Sequence, residues 1–479
     1  MGCAPDEWAK EWLAKRRSDD PESVKGWTIE KRSGSHYIKW GTTYWDKELK
    51  KYRKRSKMIG TLNPNGTITY SKPHSDKVEI PSDIKDYGNA LLLNLASKRI
   101  VDSLEANFPD TWRELLAMAQ LRLLHCARLN HLSDSWRLLD DIRGLRPRMS
   151  PEILSKVLEV TGGSFVAMND FYESIDDGDG HFVTDLSVIF SRAKGATLLR
   201  KGYNRFRLQG TQFNIAVMHD MTTKRPVRMS TVAGNVKENS VIGMIQEFDI
   251  GKGTVLVMDR GYCGKNILSE ITDNGYHFIV AAKRNSNAYD VTDVDDGHFT
   301  WNGRAIDYGV GRFVGYFAYR FEDIFLRGEE IYEKYRAEEE KGREVTNMDR
   351  AGHIMLLSSL NIAPKEVYRM FKCRCSIENF FDTGKNDLAG NTTYLRTDLH
   401  IMGYNFVTFL SFCIWSEMRS WLETNDLDSR FTPYDLLRKF TAVKVCYTRK
   451  GPIIPSIPRD VRDLATKLGI TIHTPNIES

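Results

Sequence analysis

The sequence predicts an α/β protein whose core is a mixed five-stranded sheet with flanking helices. Three observations carry that prediction. Between His181 and Arg284 the apolar residues follow strand periods in five runs, His181–Ser191 being the first. Helix-period segments separate the later runs, giving strands, helix, strand, helix, strand, the order of a sheet covered on its faces. A strongly apolar helix, Tyr404–Leu422, follows and is suited to pack on that sheet.

In chain order, W-A-K-E-W-L-A-K-R-R near the start reads as a helix. H-Y-I-K-W, T-T-Y-W and K-M-I-G-T-L then read as short strands, and T-I-T returns from the turn N-P-N-G. The basic run D-K-E-L-K-K-Y-R-K-R-S-K (46–57) is expected between two of these strands. It offers Lys51, Arg53, Lys54 and Arg55 to a polyanion, or forms a solvated charged face. From about Ala90 to Val160 the pattern is helical, and Ser150-Pro151 is a cap with proline in the first helical position. G-T-Q-F-N-I-A-V-M-H-D, R-P-V-R-M-S-T-V-A-G and G-T-V-L-V-M-D are the second to fourth core strands, and H-F-I-V-A-A-K-R is the fifth. A segment with short strands and a charged helix interrupts the core near Asn285–Arg350, and H-I-M-L-L-S-S resumes it. The expected organisation is a basic module at 1–80, a helical domain at 85–162, a first core part at 163–286, an inserted β-rich subdomain at 287–351, a second core part at 352–425 and a tail at 426–479 that wraps the surface.

With 41% hydrophobic residues, 479 residues supply a core to each of several domains, and a net charge of +5 does not by itself select nucleic acid. The seven cysteines form no zinc or disulfide framework, so reduced thiols and a cytoplasmic location are expected. No apolar run approaches a membrane span, so no membrane partner is expected.

The chemistry-bearing residues are acids placed by this pattern. Asp185 interrupts an apolar strand, Asp259 ends another, and Glu378 lies on a helix after the sheet. Uncompensated buried carboxylates are costly, so their positions call for partners. On the helix, Phe371, Arg374, Glu378 and Lys385 fall within an arc of roughly 60°. That face is either an i,i+4 salt-bridged surface or a carboxylate flanked by phosphate-holding cations. Three converging carboxylates suit two Mg²⁺ or Mn²⁺ ions, which serve in-line phosphoryl displacement. A structural acid network is the plain alternative.

These residues give the sequence its resemblance to the DDE transposases of prokaryotic insertion sequences. The likeness is to the group whose last catalytic helix bears Tyr-x2-Arg-x3-Glu-x6-Lys. Here the motif stands as Phe371, Arg374, Glu378 and Lys385, with phenylalanine for tyrosine. V-M-D-R-G-Y resembles the second aspartate region, F-V-T-D-L-S the first, and G-N-V-K-E-N the turn between them. T-Y-W-D-K-E with M-I-G-T-L-N-P is similar to the N-terminal module of a subset of the family. The resemblance implies an RNase H-like core, catalysis by Asp185, Asp259 and Glu378 with two metal ions, and DNA contacts from Arg374, Lys385, Phe371 and Arg260. It implies binding of terminal inverted repeats as a homodimer or larger assembly, nicking at the element's ends, and attack of the freed 3′-hydroxyl on target DNA. Trp301, in the insertion, is a candidate base-stacking residue or a packed strand aromatic. A nuclease that cuts without joining, and a non-catalytic DNA-binding descendant, are the rival readings.

Overall fold

A computed structural model describes residues 4–46, 50–71, 81–125, 128–178, 181–191, 195–201, 211–235, 250–340, 348–373, 392–393, 395–449 and 451–473. The chain divides into two compact units, Met1–Ser82 and Asp83–Ser479.

In the first unit, helix α1 (Glu7–Asp19) precedes strands β1 (Trp27–Arg32), β2 (Ser35–Asp46), β3 (Lys51–Leu62) and β4 (Ile68–Tyr70). They pair in sequence order as an antiparallel sheet. Ser33 and Gly34, both at positive φ, make the two-residue turn between β1 and β2. Ala9, Leu13, Ile29, Ile38 and Leu62 form the small core, with Trp8, Trp12 and Trp27 against it. The basic run departs from expectation. Lys51–Lys57 lies within β3, not between strands, and H-Y-I-K-W and T-T-Y-W are one continuous β2. Lysine and arginine are poor strand formers, but here Trp40, Thr42, Thr43 and Tyr44 stand opposite them. Such cross-strand partners outweigh intrinsic preference.

The second unit opens with β5 (Asp83–Asp86) and six helices: α2 (Tyr87–Ala96), α3 (Lys98–Asn107), α4 (Trp112–Leu123), α5 (Leu129–Leu138), α6 (Pro151–Gly163) and α7 (Phe165–Ile175). Ser150 caps α6 by accepting the Ile153 N–H, and Pro151 opens the helix, as the sequence indicates. The core strands follow: β6 (His181–Ser191), β7 (Thr211–Asp220), β8 (Pro226–Ala233), β9 (Val255–Met258) and β10 (His277–Ala281), with α8 (Lys265–Asp273) before β10. Their spatial order is β8-β7-β6-β9-β10. The β6–β7 and β7–β8 pairs are antiparallel, and β9 and β10 run parallel to β6. This is the mixed five-stranded sheet of an RNase H-like core. The helix expected over 240–248 lies outside the described residues.

The insertion supplies β11 (Gly297–Trp301), β12 (Arg304–Phe313), β13 (Tyr316–Asp323) and the exposed helix α9 (Ile324–Glu339), and β14 (His353–Ser358) resumes the core. Its three strands join the core sheet, because β13 pairs with β14 and β14 with β10. Helix α10 (Pro364–Cys373) then packs across β9 and β10. The short β15 (Thr392–Thr393) pairs in parallel with the far end of β6. Helix α11 (Asp398–Thr424) is long and apolar enough to cross a membrane, but it is mostly buried against α4, α6, α2 and β8. Finally α12 (Pro433–Phe440), β16 (Lys444–Thr448), β17 (Gly451–Ile453) and α13 (Arg459–Lys467) complete the chain. The tail does more than wrap the surface: β16 pairs with both β17 and β5, closing a second small sheet.

Alternation along the core strands separates two apolar layers. Val183, Val217, Val257, Ile279 and Leu356 belong to the layer shared with α2–α7, α10 and α11. Phe182, Met218, Met258, Val280 and Leu357 belong to the layer under α8.

Candidate active site

Strand register brings the two aspartates together. Parallel pairing sets His181 opposite Val255 and Val183 opposite Val257. Continued two residues past this pairing, the same stagger would bring Asp185 level with Asp259, the first residue after β9. Because strands alternate with period two, positions 185 and 259 share the face of Val183 and Val257. That is the face on which Val367, Tyr368 and Met370 of α10 are buried. The backbone of Asp185 is described, while its side chain lies outside the described residues.

Asp259 sits where β9 gives way to a single 3-10 turn, Arg260–Tyr262. Its carbonyl accepts the Tyr262 N–H at 3.0 Å, which fixes the corner. Tyr262 is buried beneath, so the turn is anchored on the α8 side of the sheet. The Asp259 side chain remains 39% exposed, with the Arg260 guanidinium 4.0 Å away and 58% exposed. A carboxylate at the carboxyl end of a buried strand, half open to solvent, can reach a metal or a substrate without carrying the cost of full burial.

Glu378, Arg374 and Lys385 lie outside the described residues. The chain on both sides of them is described. Before them, α10 is tied to β9 and β10. After them, Thr392 and Thr393 pair with Phe190 and Ser191 at the far end of β6. The described chain leaves off beside the strand before Asp259 and resumes beside the strand of Asp185.

Phe371 is half-buried against the helical layer of the core. Trp301, at the Asn302–Gly303 turn of the β11–β12 hairpin, packs edge-on against Tyr368 of α10 with ring centroids 5.8 Å apart. Lys51, Arg53, Lys54 and Arg55 are exposed on β3, in the other compact unit. The structure also draws notice to a lysine that the sequence left as a strand end. The β9–β10 register sets Val280 opposite Met258, so Ala281 is level with Asp259 and Lys283 follows at the same end of the sheet. Lys283 is exposed, whereas its neighbour Arg284 is committed to Glu330. The only sign in the sequence was a Lys-Arg pair at the end of an apolar run. Nearby, burial pushes the Cys263 thiol above its ordinary range, with Lys283 opposing.

Among the described residues no three His, Cys, Asp or Glu side chains gather into a metal-holding group. The acids that the sequence singles out are Asp185 and Glu378 beside Asp259. That donor set is all carboxylate oxygen, which suits a hard divalent cation such as Mg²⁺ or Mn²⁺.

No curated protein matches the chain. Among solved structures, a cryo-EM synaptic complex of piggyBac transposase with hairpin DNA aligns over 81% of this chain and 76% of its own, at 11% identity and a TM-score of 0.36. A family match covers residues 190–414, a little under half of the chain; it includes Asp259 and Glu378 and begins just after Asp185. The family is described as Transposase DDE domain, and the chain is similar to it over those residues.

Proposed function

We propose that the chain is a DNA transposase of the insertion-sequence type, with Asp185, Asp259 and Glu378 as its catalytic carboxylates. It binds the terminal inverted repeats of its element, cuts at their ends, and joins the freed 3′-hydroxyl to target DNA. It works as a homodimer or larger assembly on DNA. The observation that supports this reading is the stagger of β6 against β9, which pairs Val183 with Val257, each two residues before a candidate aspartate, on the face where α10 is buried.

In this reading the three carboxylates hold two divalent ions, Mg²⁺ or Mn²⁺. Bound there, the metals supply activation of the attacking oxygen and stabilisation of the leaving one. The rest falls to the chain itself. Arg260, exposed beside Asp259, grips a backbone phosphate with its fork, and Lys283 adds a point charge at the same sheet end. Arg374 and Lys385, the basic members of the sequence motif, hold further backbone phosphates in this reading, with Phe371 and Trp301 as the apolar and stacking members. Fixing the scissile phosphate between these cations and the carboxylates aligns it before reaction, where most of the rate advantage of such chemistry arises.

The test is cleavage and joining of DNA that carries the element's ends, with and without Mg²⁺. Asp259→Ala is expected to lower cleavage at least about a hundredfold, while Asp273→Ala, at the exposed end of α8, leaves it unchanged. Cleavage that survives Asp259→Ala at full rate overturns the assignment. Cut ends without strand-transfer products would make the protein a nuclease instead.

A further inference from the structure

The β2–β3 ribbon reaches well beyond the small core of the first unit. Burial is confined to the proximal ends, at His36 and Ile38 on β2 and at Gly60 and Leu62 on β3. From the Thr42–Arg55 pair outward, most side chains on both faces are exposed. A two-stranded ribbon on which none of the described residues forms a core is marginal by itself, so its length calls for a purpose.

Its two faces are not alike. Register sets Asp46 opposite Lys51, Tyr44 opposite Arg53, Thr42 opposite Arg55 and Trp40 opposite Lys57. Paired residues share a face, so Lys51, Arg53, Arg55 and Lys57 form one row of cations. Asp46 is the single acid among the paired residues of that face, and it holds Arg53 at 3.4 Å. The opposite face pairs Trp45 with Tyr52, Thr43 with Lys54 and Gly41 with Ser56. There Trp45 and Tyr52 meet edge-on, 5.0 Å between ring centroids, and the Lys54 stem passes over Gly41, where an added Cβ would lie 3.7 Å from it. That face braces the ribbon. Alternate residues on a strand are about 6.8 Å apart, so four cations make a row of roughly 20 Å, far more than a single carboxylate needs.

We propose that the outer β2–β3 ribbon is an arm that docks double-stranded DNA through one face only, with Lys51, Arg53, Arg55 and Lys57 against phosphates. This rests on the DNA-transposase reading and divides the basic run in two: Lys54, between Arg53 and Arg55 in sequence, belongs to the bracing face. A two-stranded ribbon is narrow enough to enter a major groove, and a row of cations along it suits a regular polyanion better than a folded acidic protein. The contacts are to the backbone, so they position the duplex without reading its sequence.

The experiment uses the full chain and a short DNA duplex of arbitrary sequence, with binding measured by fluorescence anisotropy across a KCl series. Each phosphate contact adds about one to the slope of log affinity against log salt. Arg55→Ala and Lys57→Ala are each expected to lower that slope by about one, and together to weaken binding tenfold or more at moderate salt. Lys54→Ala is expected to leave the slope unchanged. All three positions are exposed, and unaltered circular dichroism checks that folding is untouched. Equal losses from Lys54→Ala and Arg55→Ala overturn the one-face arm, as does an RNA duplex that binds as tightly as the DNA. Asp259→Ala separates the two readings. If it binds like the unmodified chain, and the unmodified chain shows the face-specific slope but never cuts, the arm stands and the transposase reading falls. If cutting is normal and the face difference is missing, the arm alone falls.

Discussion

His219 shows how a single side chain can set the acid limit of the fold. It stands on β7 at the irregularity between Met218 and His219, 3% exposed. Burial drives its pKa down from 6.5 to about 3, a hydrogen bond from the ring to the Lys224 backbone opposes, and the charge of Arg419 adds to the fall. Above pH 6.5 the ring is neutral in both folded and unfolded chains. Below it, the unfolded chain takes up a proton that the folded chain refuses, so stability declines as pH falls. Between pH 7 and pH 5 this one group is expected to cost about 2 kcal/mol. Urea unfolding at the two pH values checks it: His219→Gln should remove that share of the pH dependence. At the same scale Asp259 was legible from sequence, because an apolar run that stops at an aspartate and a glycine turn marks a strand end. Lys283 was not, since only the β9–β10 register carries it to the level of Asp259.

Among the elements, α6 and α11 meet more closely than ordinary side chains permit. A Cβ on Gly162 would strike the Leu399 carbonyl, and one on Gly403 would strike the Leu158 carbonyl. Glycine is needed here for approach, not for backbone freedom. Gly403→Ala is expected to destabilise the second unit by about 1–3 kcal/mol, the usual cost of overpacking. Gly163→Ala, whose Cβ would meet only a Leu399 methyl at 4.0 Å, should be neutral or stabilising by a few tenths of a kcal/mol. Chemical denaturation of the two variants makes the comparison. The helices themselves were readable, α6 from its Ser-Pro start and α11 from its apolar length. The strand character of Lys51–Lys57 was hidden, because it depends on aromatic and threonine partners across the hairpin and not on the residues of the run. Likewise nothing local in Tyr316–Asp323 announces that β13 pairs with β14 and so extends the core sheet.

At the scale of the molecule, the second unit is closed by its own extremities. β5 at its start pairs with β16 near the chain's end, and Asp86 caps α2 by accepting the Asn89 N–H while facing Lys444 at 3.3 Å. A chain of residues 83–479 is therefore expected to unfold with the cooperativity of the whole second unit. Removing four residues more, to leave 87–479, should lower its stability by at least the ~1 kcal/mol of the lost cap. Thermal unfolding of the two truncations, followed by circular dichroism, tests this. Such a pairing, between residues so far apart in sequence, leaves no periodic trace in either segment, which is why the tail reads as mere wrapping.

The stagger of β6 against β9 has a consequence for what changes the chain can survive. One residue added to β9 ahead of Asp259 would turn that carboxylate to the α8 side of the sheet. Two would restore its face but carry it about 6.6 Å past its neighbour. Neither change alters a single chemical group, yet both would separate the acids. Length is thus a heritable trait of these two strands in its own right. The site is specified by counting as much as by composition.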